Sequence, residues 1–160
     1  MRKLKSVAML VIVMALSSCG REDFPQVREL AERIIPAHHE SFVFEAIDDQ
    51  NDCYEISMDG DKVVIRASNA NSAAVGLNHY LKNYCLTTVS WDARNPVEMP
   101  DELPAVDGVV RGTAHCGDRF FLNYCTFGYT MPWWGWQEWE RFIDWMALNG
   151  VTMPLAITGQ

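Results

Sequence analysis

Residues 119–160 read RFFLNYCTFGYTMPWWGWQEWERFIDWMALNGVTMPLAITGQ, and the pattern of this stretch decides the fold. Short apolar runs of strand type occupy residues 120–124 and 151–157. Between the two runs, apolar residues recur at helical spacing and polar residues fill the opposite face. The apolar set is Trp136, Trp139, Phe142, Ile143, Met146 and Ala147, and the polar set is Gln137, Glu138, Glu140, Arg141 and Asp144. Asn149–Gly150 marks the end of the helix, so the pattern predicts a βαβ unit with parallel neighbouring strands.

The predicted loop between the first strand and the helix, residues 125–135, is long and aromatic. It holds Phe127, Tyr129, Trp133 and Trp134, with Gly128, Pro132 and Gly135 as helix breakers. Such loops normally have about 2–6 residues, and in parallel α/β folds they lie at the ligand-binding end of the strands. Flat rings with polar edges suit a sugar. The alternative is that the rings only plug a barrel rim or a domain interface.

The runs NYCTFGYT and WWGWQEWERFIDWMALNGVTMPLAITGQ resemble the first barrel segment of the alpha-N-acetylglucosaminidase family, glycoside hydrolase family 89. The resemblance implies a retaining exo-hydrolase that removes terminal α-linked N-acetylglucosamine from glycans. It also implies that Asn123, Cys125 and Tyr129 line the sugar pocket and that both catalytic glutamates lie on later barrel strands. No cofactor is implied.

Residues 24–107 have the pattern of a small α/β domain. A helix begins at Pro25 and ends before Pro36. Strands are predicted at 41–47, 53–58, 62–67 and 87–91, with Asp59-Gly60 as a hairpin turn. A second helix, capped by Asn71 or Ser72, presents one apolar face; this face holds Ala73, Ala74, Leu77, Tyr80, Leu81 and Tyr84. The block resembles the small domain that precedes the barrel in alpha-N-acetylglucosaminidases, which has a structural role.

The first residues have the features of an exported lipoprotein. Three basic residues precede an apolar run at 7–16, which is too short to span a membrane but suits a signal peptide. Leu16-Ser17-Ser18-Cys19 resembles a bacterial lipoprotein cleavage site, which implies lipid attachment to Cys19 and anchoring in the periplasm or outer membrane of a Gram-negative bacterium. An ordinary secretory signal or a short buried helix is the alternative.

Charge and cysteine content narrow the range of partners. The chain carries 13 basic and 21 acidic residues, and loss of residues 1–18 removes three of the basic ones, leaving a net charge of −11. This excess argues against nucleic acid or anionic lipid as a partner. The cysteines that follow Cys19 form no metal-binding spacing, and we expect them to be buried free thiols rather than an assignable disulfide; they are Cys53, Cys85, Cys116 and Cys125.

No pair of catalytic carboxylates is predicted within the chain. Glu138, Glu140 and Asp144 fall on the polar face of the predicted helix, where we expect them to be solvated, and we expect the acidic residues at 48–52 to form a solvated turn. A (β/α)₈ barrel needs roughly 250 residues, far more than follow residue 107. We therefore expect a signal peptide at 1–18, a tethered small domain at 19–107 and the start of a barrel at 108–160, as an inactive piece of a larger glycosidase. A non-catalytic surface lipoprotein that captures glycans or docks proteins is the alternative, and a barrel that acts on a different sugar is a weaker one.

Overall fold

A computed structural model describes residues 23–93 and 96–155 of the chain. Its helices are α1 (Pro25–Ile34), α2 (Ala70–Asn83), α3 (Tyr124–Thr130) and α4 (Trp136–Leu148), with a short 3₁₀ turn at His39–Ser41. The strands are β1 (Phe42–Ala46), β2 (Cys53–Asp59), β3 (Lys62–Ala67), β4 (Val110–Thr113), β5 (Phe120–Phe121) and β6 (Met153–Pro154). The predicted α/β class is confirmed.

The first four strands form one mixed sheet in the order β1-β3-β2-β4. The hairpin predicted around Asp59-Gly60 is present, and Gly60 adopts a positive φ of 62° that suits glycine. Strand β4 was not predicted, and it pairs antiparallel with β2 from Ile56 opposite Val110 to Cys53 opposite Thr113. The small domain's sheet thus extends past the boundary predicted between residues 107 and 108.

Helices α1 and α2 complete the small domain. Pro25 opens α1 as predicted, and Val27, Leu30 and Ala31 form its buried side. Helix α2 packs on β2 and β3, but its cap is Asn69, whose side chain accepts a hydrogen bond from the Ser72 amide at 2.9 Å. The prediction of Asn71 or Ser72 as the cap was therefore wrong by two or three residues. The strand predicted at 87–91 was also wrong, since this segment is irregular and pairs with no strand among the described residues.

The second unit begins at β5. Strands β5 and β6 are parallel, with Phe120 opposite Met153 and Phe121 opposite Pro154, as the βαβ pattern predicts. Helix α4 lies between them in sequence and ends at the predicted position, where Gly150 has a φ of 75°. Strand β5 is shorter than predicted because residue 124 already belongs to α3. Residues 156–160 lie outside the described part of the chain.

Each unit places an apolar side chain in the other unit's core. Leu148, at the end of α4, is fully buried in the cluster of the small domain. Trp91, which precedes β4, packs in the cluster around Phe142 of α4. Because each core contains a residue from the other unit, neither core is complete without its neighbour.

Hydrogen bonds also connect the small domain to the second unit. Arg119 donates to Asp52 at 2.8 Å and Asn71 at 3.2 Å on the small domain's side, and to the Gly150 carbonyl on the other. The buried Asn78 amide donates to the carbonyl of Leu148 at 2.7 Å. The bonds that Arg119 donates are charge-assisted, which makes them the stronger ones, and together these contacts fix the amino ends of β5 and β6 to the small domain.

None of the helices in the described residues is long and apolar enough to cross a membrane. The predicted signal peptide and Cys19 lie outside the described residues.

Substitution of Leu148 by alanine should destabilise both units together. Truncating a fully buried leucine removes its apolar contacts and leaves a cavity, at a cost of about 2–5 kcal/mol. Urea unfolding followed by circular dichroism should show one transition at a lower midpoint. Ile143→Ala on the same helix is the matched control, because Ile143 is 46% exposed and its loss should cost far less. Equal destabilisation by the two variants would contradict the role given to Leu148.

Stability should also fall as the pH drops below about 6.5, the pKa of an unperturbed histidine. The Tyr54 hydroxyl and His79 Nδ1 lie 2.8 Å apart, and burial lowers the pKa of His79. His79 therefore binds a proton more readily in the unfolded chain than in the folded chain. The stabilisation is complete above the pKa of His79 in the unfolded chain, and it is lost as the pH falls toward the lower pKa of His79 in the folded chain. Urea midpoints between pH 5 and 8 measure this dependence. His79→Gln keeps a polar side chain and should flatten it, whereas an unchanged slope would exclude His79 as its source.

Candidate functional site

The candidate site lies at the carboxyl ends of β5 and β6. The chain leaves β5 at Phe121, passes through α3 and then enters α4 at Trp136. Because α4 must return the chain to the amino end of the parallel strand β6, the segment from residue 122 to 135 lies at the carboxyl edge. This is the edge at which parallel α/β folds bind ligands.

Asn123 caps the short helix α3. Its side-chain oxygen accepts a hydrogen bond from the Cys125 amide at 2.9 Å, which leaves the side-chain NH₂ group available. The helix occupies residues that were predicted as loop, and this prediction was wrong. Gly128 and Pro132 obscured the pattern, although the preference of asparagine for the N-cap position was a signal for it.

Cys125 and Tyr129 lie one helical turn apart on α3, so they share one face of the helix. Both side chains are exposed, Tyr129 to 88%. The structure thus places Asn123, Cys125 and Tyr129 on one short helix and its cap, at the carboxyl edge of the strand pair. The amide, thiol and phenol of these residues are uncharged polar groups suited to contacts with hydroxyls.

The aromatic side chains of the segment divide into two groups. Phe127 and Trp134 pack inward onto α4, where Trp134 lies 5.1 Å from Trp139 and 5.4 Å from Phe142 between ring centroids. Trp133 and Tyr129 point outward, and Trp133 is 94% exposed. The first group agrees with the interpretation of the loop as a plug, and the second leaves two rings exposed at this edge.

Two of the three carboxylates of α4, those of Glu138 and Asp144, have structural roles. Glu138 accepts a hydrogen bond from the Gly135 amide at 2.9 Å and so caps the helix. Asp144 was predicted to be solvated, but this was wrong: it is 5% exposed and binds the Arg33 guanidinium through both oxygens, at 2.9 and 2.7 Å. The hydrogen bond to Asp144 raises the pKa of Arg33. Trp136 and Ile143, which belong to the apolar set of the predicted helix, are exposed.

Two acidic residues of the turn at 48–52, Asp49 and Asp52, form ion pairs with arginines. The Asn51 amide and then Arg111 lower the pKa of Asp49, and Asp52 binds Arg119 and the Asn69 side chain. In the described residues, no group of three or more His, Cys, Asp or Glu side chains is placed to hold a metal ion.

The cysteines after Cys19 are free thiols, as expected, but the expectation that all are buried was wrong. Cys53 is buried and Cys85 is half-buried, and burial raises the pKa of Cys85 to about 11. Cys116 and Cys125 are exposed. Cys125 is exposed because it lies in the first turn of α3, at the edge of the fold.

An open cleft of about 490 Å³ lies away from these residues, between α1, the segment after α2 and Arg141 of α4. Arg33 on its wall is already paired with Asp144. Ala93 and Pro96 are among the residues that line the cleft. It contains none of Asn123, Cys125 and Tyr129.

Comparison with known proteins identifies both units. Residues 25–105 match the alpha-N-acetylglucosaminidase (NAGLU) N-terminal domain, and residues 119–160 match the tim-barrel domain of the same family. The human alpha-N-acetylglucosaminidase is 41% identical over 99 residues, which are 62% of this chain and 13% of the human protein.

Solved structures of a family 89 glycoside hydrolase from Clostridium perfringens have the same fold. One, in complex with its substrate GlcNAc-alpha-1,4-galactose, matches 83% of this chain with a TM-score of 0.78 and 37% identity. Another, in complex with 2-acetamido-1,2-dideoxynojirmycin, matches 86% with a TM-score of 0.76 and 36% identity. The chain spans 16% of the length of each. It belongs to the alpha-N-acetylglucosaminidase family, glycoside hydrolase family 89, and contains that family's small N-terminal domain and the start of its barrel.

Proposed function

We propose that this chain is the amino-terminal part of a retaining exo-glycosidase that removes terminal α-linked N-acetylglucosamine from glycans. One observation carries the proposal: Asn123, Cys125 and Tyr129, the positions of the family motif, lie together on α3 at the ligand-binding edge of a βαβ unit. The Clostridium perfringens relative, whose substrate is GlcNAc-alpha-1,4-galactose, supports the same substrate class.

The three side chains would form one wall of the pocket for the terminal sugar. The NH₂ group of Asn123, left over from capping, can donate to a sugar hydroxyl. Cys125 supplies a small neutral wall that admits the sugar closely. Tyr129 offers a phenol that both donates and accepts, and an aromatic face for the apolar side of the ring.

The two catalytic carboxylates are proposed to come from other barrel strands. Retention needs two carboxyl groups about 5–5.5 Å apart on either side of the glycosidic bond. After residue 119, Glu138 caps α4, Asp144 is held by Arg33, and Glu140 lies on α4 rather than at the end of a strand. The described residues after 119 therefore place no pair of carboxylates for acid/base work. The 160-residue chain alone should therefore hydrolyse nothing.

Membrane anchoring through Cys19 is part of the proposal. The basic start, the apolar run at 7–16 and Leu16-Ser17-Ser18-Cys19 support export and lipid attachment. The acidic body offers no basic patch for anionic membranes, so the lipid would supply the attachment.

A second candidate is a surface lipoprotein that captures glycans without cleaving them. The exposure of Tyr129 and Trp133 favours it, because exposed rings can stack on sugars without any catalytic group. Hydrolysis by the polypeptide that carries the whole barrel would exclude it.

Tyr129→Ala in that complete enzyme should lower kcat/KM for p-nitrophenyl α-N-acetylglucosaminide by about 10- to 100-fold, equivalent to the loss of a hydrogen bond and of ring packing. Steady-state release of p-nitrophenol measures the change. Since Tyr129 is exposed, the thermal midpoint of the variant should stay within a few degrees of wild type.

Tyr129→Phe is the matched variant, and it should retain the share of activity that depends on the ring alone. The 160-residue chain assayed in parallel should give no turnover. An unchanged kcat/KM in Tyr129→Ala would remove Tyr129 from the pocket, and turnover by the 160-residue chain would contradict the proposed source of the carboxylates.

Labelling of producing bacteria with a palmitate analogue should mark the wild-type protein but not Cys19→Ala, because the lipid is attached through the thiol. Cys116→Ala, which removes an exposed cysteine elsewhere, should be labelled like wild type. Equal labelling of Cys19→Ala and wild type would reject lipid attachment at Cys19.

A further inference from the structure

We propose that Trp133 is a stacking platform for the second sugar of the substrate, the one released as the leaving group. The inference rests on the proposed function, because it adds a binding position beside the pocket attributed to Asn123, Cys125 and Tyr129. The family resemblance supplied Asn123, Cys125 and Tyr129 as pocket residues. Trp133 is not one of them.

The backbone of Trp133 is held rigidly while its side chain is free. Met131 before it is fully buried, and the Trp134 amide after it donates to the Met131 carbonyl at 3.1 Å. Pro132 fixes its own φ, and the Trp134 ring is packed against Trp139 and Phe142. The Trp134 indole thus anchors the turn, whereas the Trp133 indole is 94% exposed. Because the backbone around Trp133 is already ordered, a ligand needs to order only the side-chain torsions of the ring, which limits the entropy cost of binding.

Trp133 shares the strand-to-helix end of this unit with Trp136, which is 68% exposed at the first residue of α4. The position of Trp133 distinguishes it from three other exposed apolar side chains. Phe120 and Met153 lie on strands, and Ile143 lies on the middle of α4. In a closed barrel, neighbouring strands and helices cover such positions. Trp133 lies in the strand-to-helix connection, at the face where barrels are open for substrate. We therefore assign a sugar rather than protein as its partner.

The chemistry around Trp133 suits a neutral ring. Residues 120–137 contain no charged residue, although the chain as a whole has a net charge of −8. An indole face stacks on the C–H face of a pyranose, and nearby Thr130 and Gln137 can exchange hydrogen bonds with hydroxyls. An anionic group would find no cation here.

An exo-acting enzyme must accommodate one sugar on each side of the bond that it cleaves. The terminal N-acetylglucosamine fills the closed pocket, so the leaving sugar lies at its mouth. Trp133 follows Tyr129 by four residues in the same connection, which places the platform next to that pocket.

The test compares two substrates of the complete enzyme. GlcNAc-α-1,4-galactose has a leaving sugar, whereas α-N-acetylglucosaminyl fluoride releases fluoride and has no leaving-group ring. Trp133→Ala should lower kcat/KM for the disaccharide about tenfold, chiefly through KM, and leave kcat/KM for the fluoride unchanged. Trp133→Phe should recover most of the loss because it restores an aromatic face.

Leu86→Ala is the control, since it removes a similarly exposed apolar side chain from the small domain and should change neither substrate. Equal losses of kcat/KM for both substrates, or a fall in thermal midpoint, would show that Trp133 packs against protein and would overturn the proposal. No loss with either substrate would overturn it as well. A wild-type enzyme that hydrolyses neither substrate would instead refute the proposed function, and this inference with it.

Discussion

The guanidinium of Arg119 joins the two units of the chain. It donates to Asp52 and Asn71 on the small domain and to the carbonyls of Cys116, Gly117 and Gly150 beside the strand pair. A planar group with five donors is suited to several acceptors that must keep a fixed geometry. Since Arg119 immediately precedes β5 and Gly150 lies just before β6, the two strands start from one fixed point. The position of everything at their carboxyl ends depends on this point.

At the carboxyl ends of β5 and β6, packing between aromatic rings stabilises the structure. The Phe142 ring contacts Trp91, Phe121 and Trp134, with centroid separations of 5.4 to 6.0 Å. Edge-on and tilted pairs of this kind add to the stabilisation from burial itself. The cluster supports α3 and the turn after it, so Tyr129 and Trp133 are exposed but mounted on a packed base. Binding groups carried on a rigid base are better preorganised than groups on a free loop.

The sequence predicted those features that repeat locally. The helix at 136–148 followed from its period, and the hairpin followed from Asp59-Gly60 between two apolar runs. The sequence analysis did not predict features that depend on partners distant in the chain. Asp144 occupies a polar position of α4, but its partner Arg33 is 111 residues away in the chain, so periodicity alone placed it in solvent. Strand β4 is defined by its pairing with β2 rather than by its composition. For the site, the residues indicated an aromatic connection at the ligand-binding edge, whereas the choice of Asn123, Cys125 and Tyr129 came from the family resemblance.

The burial of Leu148 in the small domain has a consequence for biosynthesis. A chain made from its amino terminus produces all four strands of the first sheet before it produces α4. The hydrophobic interior beneath α2 lacks one of its side chains until residue 148 has emerged from the ribosome. The interior of the small domain is therefore completed only when the opening segment of the barrel has been made, because its last internal side chain belongs to α4. Completion of the first domain is thus coupled to the start of the second.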